Sequence, residues 1–244
     1  LSQRDIDEGT PFEDEAAYGG WTMDDHSPLG FRGGQKPNTF HPIPAPYAIP
    51  WRCLYSRNVS NLAFAGRNIS VTHLALSSTR VMATCAMLGQ AVGTVVSFAQ
   101  PRGLTLREAG AYAAQWKQML RDDDCYLLHT PRKTFLTPGR IRTIASREQL
   151  RVLFNGIERE LDDGDAPAVF PLHTPLEHTF ESVYVQKIRI LFDSDIASSE
   201  RRDRELKMYP MRFHVPKNRE RVHVPSALIQ KYTLSVLTER GWEI

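Results

Sequence analysis

Polar and apolar positions fall into three textures along the chain, and each predicts a different kind of structure. Residues 2–8, "SQRDIDE", set Asp5 three positions after Ser2, a capping pattern that opens a short helix. From Tyr18 to Pro50 the periodicity disappears into Gly, Pro, His and aromatic residues. Recurrent prolines fix the backbone there and exclude a helix, so the expectation is an irregular loop system lining a site. Tyr18, Trp21, Phe31, Phe40, Tyr47 and Trp51 argue for order, because disordered linkers are poor in aromatics.

A short apolar run, Asn61 to Ala65, then reads as a buried strand that ends on Gly66 and Arg67. Val81 to Ala99 contains 19 residues without Asp, Glu, Lys or Arg and predicts a long apolar helix beginning near Ser78 or Thr79. Such a run also meets the length criterion for a membrane span. Thr84, Gln90, Thr94 and Ser97 dilute it, so a helix buried in a domain is the expectation. Gly89 and Gly93 lie four apart and bare one face, which would seat the helix against a sheet. Next, "GLTLREAGAYAAQWKQMLRDDD" offers a capping box, Thr105 with Glu108, and helical spacing at Leu106, Ala109, Ala113, Trp116 and Leu120. It predicts an amphipathic surface helix.

After Cys125 the texture becomes β-rich. "QLRVLFNGI", "SVYVQKIRILFDSDI", "MYPMRFHV" and "KYTLSVLTERGWEI" read as strands between polar loops, and "YVQKIRILF" alternates as a half-buried strand does. Strands without intervening helices suggest an incomplete β-sandwich-like domain.

Composition narrows the function classes. The chain has 244 residues and a formal net charge of +2, with both signs scattered, so it carries no nucleic-acid footprint. "RDDD" at 121–124 and "ERRDRE" at 200–205 read as solvated loops. Cys53, Cys85 and Cys125 are too few and too far apart for a disulfide framework or a CxxC site. "NVS" at 58–60 and "NIS" at 68–70 fit the glycosylation pattern, which chance often produces. No signal peptide is visible. The chain opens on Leu1, and "RGWEI" stops within a strand pattern; the expectation is an internal piece of a longer protein.

A strand that ends in glycine, followed by a loop and a helix N-terminus, brings unpaired amides and a partial positive charge to an anion or cofactor. A plain strand–loop–helix connection has the same pattern. Here the residues resemble a known family. "NLAFAGRNISVTHLALSSTRVMATCAMLGQAVGT" is similar to the C-terminal flavin-binding segment of bacterial FAD-dependent oxidoreductases. "AYGGWTMDDHSP", "IPWRCLYSRNVSNL" and "LRDDDCYLL" are similar to its flanks, so the resemblance runs from about Leu1 to Leu128. "FNGIER" and "IRILFDSDI" are similar to the β-rich domain of many members.

The resemblance implies the C-terminal portion of an α/β, Rossmann-like FAD-binding domain over residues 51–128. A loop-rich substrate-side segment would precede it over 1–50, and the β-rich domain would occupy 129–244. It implies that Gly66 and Arg67 pass the FAD pyrophosphate and ribityl chain, Arg67 with charge-assisted hydrogen bonds. Related flavoproteins more often have an acid at that place. Ser70 would join this set, while Ser78, Thr79, Arg80, Val81 and Met82 would form a helix start beneath the flavin pyrimidine, where reduction builds negative charge. The strand–GxGxxG–helix unit of such enzymes is absent; "GFRGG" at 30–34 has the wrong spacing. A missing N-terminal half of the FAD-binding domain would therefore complete the site.

His73, His26 and Asp24 are the candidate acid–base residues, with Asp25 beside them. Each has a bland reading: His73 as a buried structural histidine, and "DDHSP" as turn chemistry. Arg80 would pair with substrate or cap locally. Asp193 and Asp195 are too few for calcium, no metal is expected, and Cys85 reads as a small core residue. The expected function is hydride transfer from an unidentified, sugar-like small molecule to FAD, then to an unknown acceptor, without nucleic acid or membrane. The rival is a carbohydrate-binding or scaffold protein with no active flavin; aromatic platforms would support it, but Phe170, Phe180 and Tyr184 are too few.

Overall fold

The computed structural model describes residues 1–34, 36–133, 141–143, 146–158, 168–171, 175–180, 187–192, 229 and 231–243. Two compact units divide the chain, Leu1–Thr179 and Phe180–Ile244.

The first unit opens as the sequence predicts. Helix α1, Gln3–Asp7, is closed by Ser2, whose hydroxyl accepts from the Asp5 amide while the Asp5 carboxylate accepts from the Ser2 amide at 2.7 Å. The Tyr18–Pro50 stretch departs from expectation, because it is built from strands. β1 (Glu15–Gly19) pairs antiparallel with β4 (Tyr47–Pro50), and β2 (Met23–His26) pairs antiparallel with β3 (Asn38–His41). Its prolines occupy connections or, as Pro50 does, the end of a strand, so they cost the ladders no interior donor. Tyr47 and Trp51 are buried, whereas Trp21 and Phe40 are exposed.

Asn61–Ala65 forms no strand. Only Ala63 pairs, in an isolated bridge to Tyr55, and two backbone bonds hold the following loop: Phe64 N–H to Leu54 O (2.7 Å) and Ser70 N–H to Cys53 O (2.9 Å). The expected single helix from Ser78 is two helices. α2 spans His73–Thr79, Arg80 caps it, extended Val81 breaks the chain, and α3 runs Met82–Ala99. Thr79 and Val81 are β-branched and weak helix formers, and contacts from Ser78 and Arg80 fix α2 elsewhere.

Helix α3 buries Leu88, Ala91, Val95 and Phe98 and leaves its other face exposed. Gly89 and Gly93 face open space, so the bare stripe is not seated on a sheet, contrary to expectation. By length and composition alone α3 is long and apolar enough to cross a membrane. Its buried face joins residues of 1–50, among them Ile6, Ala17 and Ile49, and residues of 51–128, among them Trp51, Trp116 and Leu120, in one core.

The amphipathic segment buries the expected face but divides into a tight turn at Glu108–Tyr112 and α4, Ala113–Asp122. Its capping box forms, with the Thr105 amide 2.9 Å from the Glu108 carboxylate. The buried tryptophan indoles donate to backbone carbonyls, Trp51 to Leu106 (2.7 Å) and Trp116 to Ala109 (2.9 Å). "RDDD" is not a solvated loop throughout. Arg121 is 1% exposed and donates to the Gly156 carbonyl at 3.2 Å, with the Glu158 carboxylate 3.6 Å away. Arg132 also bonds Glu158 and reaches Asp122 at 2.9 Å, which ties the 130s and 150s to α4.

The β-rich reading after Cys125 is overturned at "QLRVLFNGI". Arg147–Leu153 is helix α5, closed by a Ser146–Gln149 capping box. β5 (Ile141–Thr143) and β6 (His178–Phe180) are three residues each, and in the second unit β7 (Val236–Thr238) and β8 (Gly241–Glu243) form a hairpin. Lys187–Phe192 forms no strand. Among the described residues the sheets are all two-stranded, with no sandwich of packed sheets, and the β1–β4, β2–β3 and β7–β8 pairs are antiparallel. "MYPMRFHV", Tyr184, Asp193 and Asp195 lie outside the described residues, as does the side chain of Phe180.

Candidate active site

Strand β2 runs beside α2, and this contact brings together residues that are some fifty positions apart in sequence. The expected acid–base group divides into two pairs. His73 Nε2 lies 2.8 Å from Asp25 Oδ1, and His26 Nε2 lies 3.2 Å from Asp24 Oδ2. Strand alternation explains the division, since Asp24 and His26 project from one face of β2 and Asp25 from the other. His73 is 62% exposed at its side chain, so the reading of it as a buried structural histidine does not hold.

Arg80 closes the other end of α2 onto the same strand. Its guanidinium donates to the Asp24 carbonyl at 2.7 Å and stands 3.8 Å from the Asp24 carboxylate. Desolvation pushes the Asp24 carboxyl upward, but hydrogen bonds from His26 and Asn38 and the charges of His26 and Arg80 outweigh it. Its pKa therefore lies below the ordinary carboxylate value. Asp24 is held ionised, which suits it to accept hydrogen bonds.

Ser78 is buried and committed: it donates to the Trp21 carbonyl and takes the Tyr47 hydroxyl at 2.6 Å. Tyr47 pays for its burial in acidity, its phenol being pushed up to about 12. Ser78 and Thr79 thus end α2 instead of starting the long helix. The free helix start lies at Val81 and Met82. No side chain caps α3, and its first internal bond runs from the Cys85 amide to the Val81 carbonyl. The amides of Met82, Ala83 and Thr84 therefore lack internal partners, and the Met82 side chain is 89% exposed. Thr79 Oγ1 is buried without a hydrogen-bond partner just before this turn, and Cys85 Sγ contacts the Thr79 carbonyl at 3.8 Å. Cys85 is half-buried, not the fully enclosed core residue expected.

Gly66, Arg67 and Ser70 occupy the loop before α2. Gly66 has φ +105°, a conformation that disfavours any side chain. Arg67 is exposed and forms no ion pair among the described residues. Ser70 is exposed, and its backbone is bound at both ends, the amide to Cys53 and the carbonyl to the Leu1 amino group at 3.1 Å.

Sequence reading missed two participants. Tyr47 was legible as an aromatic but not as the partner of Ser78. Phe40 lies directly across from Asp24 in the β2–β3 register and is 60% exposed, which only strand pairing could reveal. The donor set suits the pyrimidine end of a flavin: unpaired amides at a helix N-terminus with an orphaned hydroxyl beside them. No glycine-rich pyrophosphate cradle accompanies it, because the chain contains no GxGxxG.

No curated protein and no solved structure matches the chain. Residues 1–117 do match a family model, that of the FAD dependent oxidoreductases. This stretch contains β2, α2 and α3 together with every candidate residue named above. The FAD-dependent oxidoreductase family that residues 1–117 match has FAD as its cofactor.

Proposed function

We propose that the chain supplies the flavin-ring side and the acid–base side of an oxidoreductase site. One observation carries the reading: a single short helix, α2, joins His73, paired with Asp25, to the uncapped start of α3, while Arg80 at its far end holds Asp24. At 1.5 Å per residue, the seven residues of α2 span about 10 Å. FAD, when bound, accepts a hydride from the substrate carbon and passes the electrons to an acceptor of unassigned identity.

The chain's own residues do the rest. The amides of Met82, Ala83 and Thr84 donate toward the end of the ring that gains negative charge, and the α3 dipole adds to their effect. Thr79 Oγ1, at the end of α2, is a buried hydroxyl without a hydrogen-bond partner. Gly66 and Arg67, with Ser70, line the approach of the phosphate-bearing part, and Arg67 supplies its cation. His73 takes the proton of the substrate hydroxyl. Asp24, kept ionised, and His26 orient the substrate, and Arg80 holds Asp24 in place.

The substrate is a small polyhydroxylated, sugar-like molecule. The exposed Phe40 ring opposite Asp24 supports this, with the Asn38 amide 3.3 Å from the same carboxylate. In this reading residues 51–128 are the C-terminal portion of a Rossmann-like FAD-binding domain, and residues 1–50 form its substrate side. The pyrophosphate cradle comes from the other half of the FAD-binding domain, which carries the glycine-rich turn this chain lacks.

The test is the visible spectrum of the protein expressed with its preceding segment, and of this chain alone titrated with FAD. Flavin bands and substrate-dependent bleaching in the longer protein, with weak binding by the chain alone, are the expected result. A colourless longer protein that FAD does not reconstitute refutes the reading.

A further inference from the structure

We propose that Asp25 is the positioning residue of His73, holding the ring through Nε2–H so that the proton is taken at Nδ1. This deepens the assignment of His73 as the base and rests on it. An ionised carboxylate can only accept a hydrogen bond, and Asp25 Oδ1 lies 2.8 Å from His73 Nε2. In the neutral ring the hydrogen must then sit on Nε2, which leaves the lone pair on Nδ1. Nδ1 makes no hydrogen bond among the described residues.

The geometry separates this pair from its neighbour. The Asp24 carboxylate is shared among His26, the Asn38 amide at 3.3 Å and the Arg80 guanidinium at 3.8 Å. Asp25 binds His73 alone among the described residues. The two carriers are also fixed independently, Asp25 by the β2–β3 ladder opposite Thr39 and His73 by the first turn of α2. In the reaction the substrate O–H bond breaks, its proton bonds to Nδ1, and its electron pair forms the carbonyl as hydride leaves carbon for the flavin. The resulting imidazolium keeps its Nε2–H on Asp25, whose negative charge offsets the new positive one.

The experiment labels the chain with 15N and treats it with diethyl pyrocarbonate, an electrophile that reports which ring nitrogen is free. An unconstrained exposed ring reacts chiefly at Nε2. The expected result is a His73 adduct on Nδ1 in the native chain and in Asp25→Glu, and on Nε2 in Asp25→Ala. The native chain and Asp25→Glu should also show an exchange-protected His73 Nε2–H signal that Asp25→Ala loses. His73→Gln assigns these signals, and Asp25→Asn replaces the alanine variant if that fails to fold by its amide spectrum. An Nε2 adduct on the native chain, or a pattern unchanged by Asp25→Ala, overturns the proposal. Unaltered flavin bleaching in the His73→Gln holoprotein removes the base assignment instead, and the positioning role falls with it whatever the adducts show.

Discussion

Replacing Tyr47 by Phe tests how the site is pinned together. The Tyr47 hydroxyl on β4 bonds Ser78 on α2 at 2.6 Å, and Ser78 in turn bonds the Trp21 carbonyl just before β2. Tyr47→Phe keeps the ring and deletes this one buried bond, a loss of about 1 kcal/mol near neutral pH. The pH dependence has an independent sign. Burial raises the folded-state phenol from 10.0 to about 12, so the unfolded chain loses that proton first. The associated stability is complete below the unfolded value and disappears as pH rises toward the folded one, amounting to about 2 kcal/mol at pH 12.

The Phe variant has no such term. Its stability deficit should therefore shrink above pH 10 and change sign near about pH 11, where the phenol term alone reaches roughly 1 kcal/mol. Urea unfolding at a series of pH values from neutral to about 11, followed by the fluorescence of the buried Trp51 and Trp116, measures the difference. Other alkaline titrations are common to both proteins and cancel in it. A stability difference that stays constant with pH would refute the reasoning, even if the neutral-pH value came out as expected.

Three further outcomes follow from the packing. Glu158→Ala leaves Arg121 and Arg132 without their shared carboxylate and should cost about 3 to 5 kcal/mol; calorimetry showing less than about 1 kcal/mol would mean the cluster is solvated. Arg80→Met removes a cation from Asp24 and should raise the Asp24 pKa, read from its carboxyl 13C titration; an unchanged midpoint would contradict the arrangement. Gly66→Ala forces a side chain onto φ +105° and should destabilise the chain by about 1 to 3 kcal/mol in denaturant unfolding, whereas a neutral effect would show that the loop relaxes freely.

Local chemistry was legible wherever a few neighbouring residues settle the structure. Ser2 with Asp5 and Thr105 with Glu108 announced their caps, and the spacing from Leu106 to Leu120 announced its buried face. Ser146 with Gln149 carries the same signal, but the short apolar run after it suits a strand as well as a helix, and the structure forms the helix. The family motifs were equally local, and they pointed to the FAD-dependent oxidoreductase model that residues 1–117 match.

The tertiary structure decided what depends on partners far away in the chain. Prolines between Tyr18 and Pro50 argued against helix, but only pairing could show strands, because a ladder depends on a second segment. The division of the apolar helix at Arg80 and Val81 follows from anchors on Trp21, Asp24 and Tyr47, and intrinsic propensity carries no trace of them. Asp24 and Asp25 are adjacent in sequence and equivalent in composition. Strand alternation sends them to different histidines, because successive side chains of a pleated strand face opposite ways.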